Sequence, residues 1–178
     1  MIPQTVPEAT FHTRVRNPKL SGDNPFEWKA LSTADVFAGR RVVLFALPGA
    51  YTPACSDSHL PGYERLYDDF RAEGIDEVVC LSVNDAFVMY QWAKSRAIEK
   101  VRILPDGNGE FTRKMGMLVD RSPQGMGMRS WRYSMLVEDM EITQLFAEPG
   151  FRDAPEGVPL ERSTAETMLA YLRTGETG

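Results

Sequence analysis

Cysteine and histidine are scarce in this chain. Its 178 residues hold two of each: Cys55, Cys80, His12 and His59. No C-x-x-C pair occurs, and the four have no spacing from which a zinc knot is built. Two cysteines also exclude a disulfide framework. Long apolar runs are missing: the longest, residues 42–47, falls far short of the ~20 residues of a membrane-spanning helix. There is no run of five or six like charges and the net charge is −5, so the clustered Lys and Arg of nucleic-acid binding are absent. The opening MIPQTVPEATFHTRVR lacks the apolar stretch of a secretory signal. A cytoplasmic location is expected, although a chain whose targeting segment had been removed would read the same.

What is present suits a globular domain. Hydrophobic content is 43% and charged content 25%, and the length predicts a single domain over 1–178. Residues 1–25, rich in Pro, Thr and charge, read as an extended lead-in with a strand at 11–16, followed by a strand at 26–31. Ser32 is placed to cap a short helix through Phe37, with Asp35 as its acidic third residue and Gly39 as its stop. Apolar runs at 41–47, 78–83 and 101–104 read as buried strands. Helices are predicted over 52–73, with Leu60, Tyr63, Tyr67 and Phe70 on one face and a kink or two abutting helices at Pro61-Gly62, and over 85–97, with Phe87, Tyr90 and Lys94 in register. A short helix at 111–115 precedes a hairpin of 133–138 and 141–146, turned by Asp139-Met140, although Met is a poor turn residue. The last helix starts on a Ser163/Glu166 capping box, buries Ala165, Met168, Leu169 and Leu172, and closes at Gly175. Strands alternating with helices, then a hairpin and a helix, predict an α/β sandwich around a mixed sheet.

One segment carries chemistry. In RVVLFALPGAYTPACSDSHLPGY a strand ends at Leu47, Pro48-Gly49 turns the chain, and Thr52 followed by Pro53 signals a helix start. Cys55 then falls in the first turn, where unpaired N–H groups and the positive helix end favour a thiolate. On spacing alone a packed, inert cysteine is an equal reading. A reacting thiolate also needs donors for the departing atom: the Thr52 hydroxyl is three residues away, and an arginine from elsewhere would complete the set. His59, four residues after Cys55, could share its face of a helix. Two ligands make a weak metal site, so a structural hydrogen-bonding role is favoured. Cys80, in VVCLSV, is expected to be buried in a central strand.

PGAYTPACSDSHLPGY resembles the peroxidatic-cysteine motif of the peroxiredoxins, and His59-Leu60-Pro61-Gly62 resembles its type II, peroxiredoxin-5-like form. VCLSVNDAFVMYQW and RSWRYSMLVED are similar to further blocks of that subfamily, so the resemblance runs from Phe26 to Leu172. It implies a thioredoxin-like sandwich, with helices on both faces of the sheet and an N-terminal extension. It also implies the site. Cys55 matches the nucleophile, Thr52 the hydroxyl that contacts sulfur and peroxide, Pro48 the shielding proline, and Arg132 the arginine that steadies thiolate and peroxide. Arg129 is the competing neighbour. Some relatives carry a resolving cysteine before the last helix, where GFRDAPEGVPLERST here has none, and no fused glutaredoxin domain is expected. The resemblance therefore implies a thiol peroxidase acting on hydrogen peroxide and organic hydroperoxides. An external thiol would recycle it, glutathione with glutaredoxin ahead of thioredoxin, with no metal or organic cofactor and as a homodimer. Phe87, Trp131 and Phe146 are candidates for the pocket lining. The rival readings are a peroxide sensor or redox-regulated chaperone using the same Cys55 oxidation, and a thiol–disulfide oxidoreductase, which lacks its C-x-x-C.

Overall fold

The Pro- and Thr-rich lead-in is fastened to the domain at both ends. Strand β1 (Thr10–Arg16) pairs antiparallel with β2 (Phe26–Ser32), in register from Thr10↔Ser32 to Arg16↔Phe26. Upstream, Val6 N–H donates to Met140 O and Ile142 N–H donates to Gln4 O, at 2.9 and 2.8 Å. The computed structural model describes residues 2–177. Helix α1 (Thr33–Phe37) starts on the expected capping box, Ser32 and Asp35 each satisfying the other's backbone N–H.

Strand β3 (Arg41–Ala46) buries every residue but its first, as a Val/Leu/Phe run does at a sheet centre. Parallel neighbours follow on one side, β4 (Glu77–Ser82) and then β5 (Arg102–Pro105). On the other side lie β8 (Tyr133–Glu138) and β9 (Glu141–Ala147), antiparallel. The order β5–β4–β3–β8–β9 is the mixed five-stranded sheet of a thioredoxin-like fold. Alternation along β3 divides the core. Val42, Leu44 and Ala46 join one buried cluster with α1, β1 and α5 (Glu110–Lys114); Val43, Phe45 and Leu47 join the other. The second cluster holds Cys55 and Cys80, together with α4 (Ala86–Ser95) and α6 (Ala165–Thr174).

One expectation is corrected, one is given its face, and one pair of strands is new. On α4 the buried residues are Ala86, Met89, Trp92 and Ala93, whereas Phe87 and Tyr90 face outward, against Trp28 and Phe26. The N-cap of α6 is Thr164, which accepts from Thr167 N–H, because Ser163 is drawn inward to Glu148. A small antiparallel pair, β6 (Leu118–Asp120) and β7 (Met128–Ser130), escaped the reading because three-residue strands carry no periodicity. The hairpin turn does use Asp139 and Met140 at φ 45° and 73°. Tertiary bonds hold this costly geometry: Asp139 Oδ1 accepts from Gly39 N–H, and Met140 O from Val6 N–H.

Candidate active site

The chain leaves β3 through buried Pro48 and Gly49 and turns into a helix at Pro53. Ser56 N–H donates to Thr52 O at 3.0 Å, so Thr52 opens the helix with its carbonyl. Its hydroxyl turns the other way and donates to Gly49 O at 2.7 Å, bracing the turn from within. Cys55–His59 then form a π-turn, Leu60 N–H reaching back to Cys55 O. Pro61 accounts for it: a proline has no N–H for the carbonyl four residues earlier and its ring clashes with that carbonyl, which widens the turn before it. The expected kink is therefore this π-turn, upstream of Pro61-Gly62. Helix α2 (Leu60–Arg65) continues through both residues, and the chain breaks again only at Leu66, before α3 (Tyr67–Ala72).

The π-turn points Cys55 and His59 into the second core cluster, 1% and 2% exposed. Arg132, between β7 and β8 and 3% exposed, meets both. Its Nη2 donates to Cys55 Sγ at 3.4 Å, and its Nη1 donates to His59 Nδ1 at 3.0 Å. His59 Nε2 therefore carries the ring proton and donates to Ser163 O at 3.0 Å, beside Tyr63 Oη at 2.9 Å on the same carbonyl. The imidazole packs against Phe45 and Tyr63. Burial, with the Arg132 charge second, drives the His59 pKa down to about 3. His59 is thus a neutral acceptor for Arg132. Ser56, beside the cysteine, takes Trp92 Nε1–H at 2.9 Å and ties the turn to α4.

The sequence pattern of the redoxin family matches residues 9–169. Peroxiredoxin sll1621 of Synechocystis is 56% identical over 176 residues, covering 99% of this chain and 93% of that protein. Among solved structures, the Plasmodium falciparum antioxidant protein, a 1-Cys peroxiredoxin, is 35% identical with a TM-score of 0.88 over 95% of this chain and 97% of that one. Peroxiredoxin 5 of Alvinella pompejana is 32% identical with a TM-score of 0.77 over 97% of each. The chain is a peroxiredoxin. It is of the type II, peroxiredoxin-5-like kind, an oxidoreductase with thiol peroxidase activity.

In this peroxiredoxin the four residues singled out from sequence lie in two pieces of chain. Pro48, Thr52 and Cys55 share the turn after β3, and Arg132 arrives from the link just before β8. Arg129 is held elsewhere, donating to Met126 O and Val83 O, and lies over Gly49, where a Cβ would meet its Nη1 at 3.1 Å. The three aromatic candidates do not share a pocket. Trp131 packs in the first core cluster against Phe151, Phe87 lies outside against Trp28, and Phe146 meets Tyr171 edge-on. Cys80 is fully buried in β4, and burial, with Cys55 next, pushes its thiol well above the ordinary range. Sequence reasoning missed Glu148 and Ser163 as partners of the site. Glu148 lies just past a strand and carries no periodic mark, and Ser163 stands within a capping pattern that gives it a different role.

His59 makes stability depend on pH. Its folded pKa is below the ordinary 6.5, so the unfolded chain binds the extra proton between about 3 and 6.5. Its contribution is complete above that window and shrinks as pH falls through it. Urea unfolding is expected to show about 2 kcal/mol less stability at pH 5 than at pH 7 from this group. His59→Gln should remove that part of the slope.

Proposed function

We propose that this peroxiredoxin reduces hydrogen peroxide and organic hydroperoxides through Cys55 and is recycled by an external thiol. The carrying observation is the Arg132 fork, which donates to Cys55 Sγ and to neutral His59 at once. The Cys55 thiolate attacks the protonated peroxide oxygen, the O–O bond breaks, and the departing oxygen takes a proton from solvent to leave as water or alcohol; sulfur keeps the attacked O–H as sulfenic acid. Arg132 donors meet the charge that gathers along the S–O–O line. Thr52, whose proton is committed to Gly49, offers lone pairs to the O–H of the incoming peroxide. Pro48 is buried at the same turn and helps to exclude water. A thiol then condenses with the sulfenic acid, releasing water, and a second thiol attacks the mixed disulfide to restore Cys55. No metal or organic cofactor enters these steps.

An external thiol is favoured because both cysteines are free and Cys80 is held protonated inside the sheet. Cys55 is 1% exposed, so the π-turn must open for that thiol to reach it. Glutathione with glutaredoxin is the preferred reductant and thioredoxin the second, in a cytoplasmic homodimer. The test is intact mass after one equivalent of peroxide and then glutathione. One glutathione per chain is expected on wild type and on Cys80→Ser, and none on Cys55→Ser. Loss of the adduct in Cys80→Ser would make that residue the resolving thiol. Stoichiometric oxidation without turnover, with every thiol tried, would favour a sensor.

A further inference from the structure

Glu148 is a buried carboxylate that the peroxide chemistry leaves unused. It follows β9 and is 2% exposed. Burying a carboxylate is costly unless donors surround it. Its Oε2 is buried without a hydrogen-bond partner, whereas Oε1 collects four donors. These are the N–H groups of Glu161, Arg162 and Ser163, at 2.9, 2.9 and 2.8 Å, and Ser163 Oγ at 2.8 Å. Three consecutive amides on one oxygen form an anion nest, which wraps residues 161–163 around the carboxylate. That grip fixes the carbonyl that comes next, Ser163 O, the acceptor for both His59 Nε2–H and Tyr63 Oη–H. Glu148 also faces Arg132 across the hairpin: its N–H donates to Arg132 O at 3.1 Å, one step beyond the Tyr133↔Ala147 pair.

We propose that Glu148 is a positioning residue for the peroxide step, its Oε1 holding the 161–163 loop so that Ser163 O fixes His59 with Nδ1 toward Arg132. The inference rests on the peroxidase reading of Cys55. Without the Ser163 acceptor, the imidazole proton can move to Nδ1, where it would face Arg132 Nη1–H, donor against donor. The guanidinium would then turn from Cys55. The carboxylate thus acts through three intermediaries, and what matters is the reach of Oε1 rather than its charge.

Glu148→Gln keeps that reach and loses the charge; Glu148→Asp keeps the charge and withdraws the oxygen by one methylene. Oxidation of Cys55 by hydrogen peroxide is followed by tryptophan fluorescence, the glutathione recycling step is timed separately, and the His59 ring is observed by ¹⁵N NMR. Glu148→Gln is expected within about 3-fold of wild type. Glu148→Asp is expected to slow the peroxide step about 10–100-fold, with recycling unchanged and the Nε2–H tautomer depleted. If Glu148→Asp does not fold, Arg162→Pro, which deletes one nest donor at an exposed position, takes its place with the same expectation. Equal rates in both variants, a slower Gln than Asp, or a slow Asp variant with an unchanged tautomer would each overturn the proposal. Cys55→Ser that still consumed peroxide would instead overturn the peroxidase reading itself.

Discussion

Cys55→Ser is expected to reduce thiol-dependent peroxide turnover to the rate seen without protein, a loss of at least about 10⁴-fold. The variant keeps every other part of the site: Arg132 still bonds His59, and Thr52 still braces the turn against Gly49. What it loses is an atom that can give up two electrons and become an acid that a thiol will attack, since oxygen has no counterpart of the sulfenic state. Cys80 cannot substitute. It lies in the middle of the sheet, beside Phe45 of β3 and Ile103 of β5, and burial keeps its thiol protonated. Serine at this buried position is expected to cost about 1 kcal/mol of stability, so urea unfolding at pH 7 would show a folded but inactive protein. Retained turnover would transfer the chemistry to another group and end the present assignment.

The part of this site that was legible in sequence is the part that is local in sequence. Leu47, Pro48-Gly49, Thr52 and Pro53 announce a strand, a turn and a helix start, and these place Cys55 with no help from the rest of the chain. Arg132 was different. Nothing in its own surroundings separates it from Arg129, three residues earlier, and only the resemblance of RSWRYSM to a family block chose it. The structure shows why spacing was silent: the two side chains leave the backbone in different directions, Arg132 from the link between β7 and β8 to His59 and Cys55, Arg129 from β7 to the carbonyls of Met126 and Val83. The π-turn was missed for a related reason. Pro61 marks disruption, but whether a helix answers by bending or by widening depends on what its preceding turn packs against, here Phe45 and Tyr63 around His59. Phe87 and Tyr90 do share a face, as their spacing says, but a helical stripe of aromatics looks the same whether it meets the core or a flanking strand. Here β2 supplies Trp28 and Phe26, and the stripe stays half outside.

Arg132→Lys is expected to slow the peroxide step by about 10²–10³-fold while leaving recycling by thiol nearly unchanged. Both side chains carry one positive charge, so the comparison isolates geometry. The guanidinium is planar and presents Nη1 and Nη2 side by side, one 3.0 Å from His59 Nδ1 and the other 3.4 Å from Cys55 Sγ. An ammonium is a single point on a flexible stem, and it cannot hold both ends of that span. If it stays with the imidazole, the sulfur loses its donor; if it moves to the sulfur, His59 is left with a buried, unpaired nitrogen and stability falls too. The loss is set in the transition state, where charge passes from sulfur to the departing oxygen and a guanidinium anchored on His59 through Nη1 keeps its Nη2 donor on that line. Arg129→Lys is the control, expected to cost less than about 10-fold because that side chain bonds backbone carbonyls and packs on Gly49. Stopped-flow oxidation with limiting peroxide decides it. A lysine variant as fast as wild type would mean that charge alone suffices, and the fork, with the neutral histidine that holds it, would then have no part in the rate.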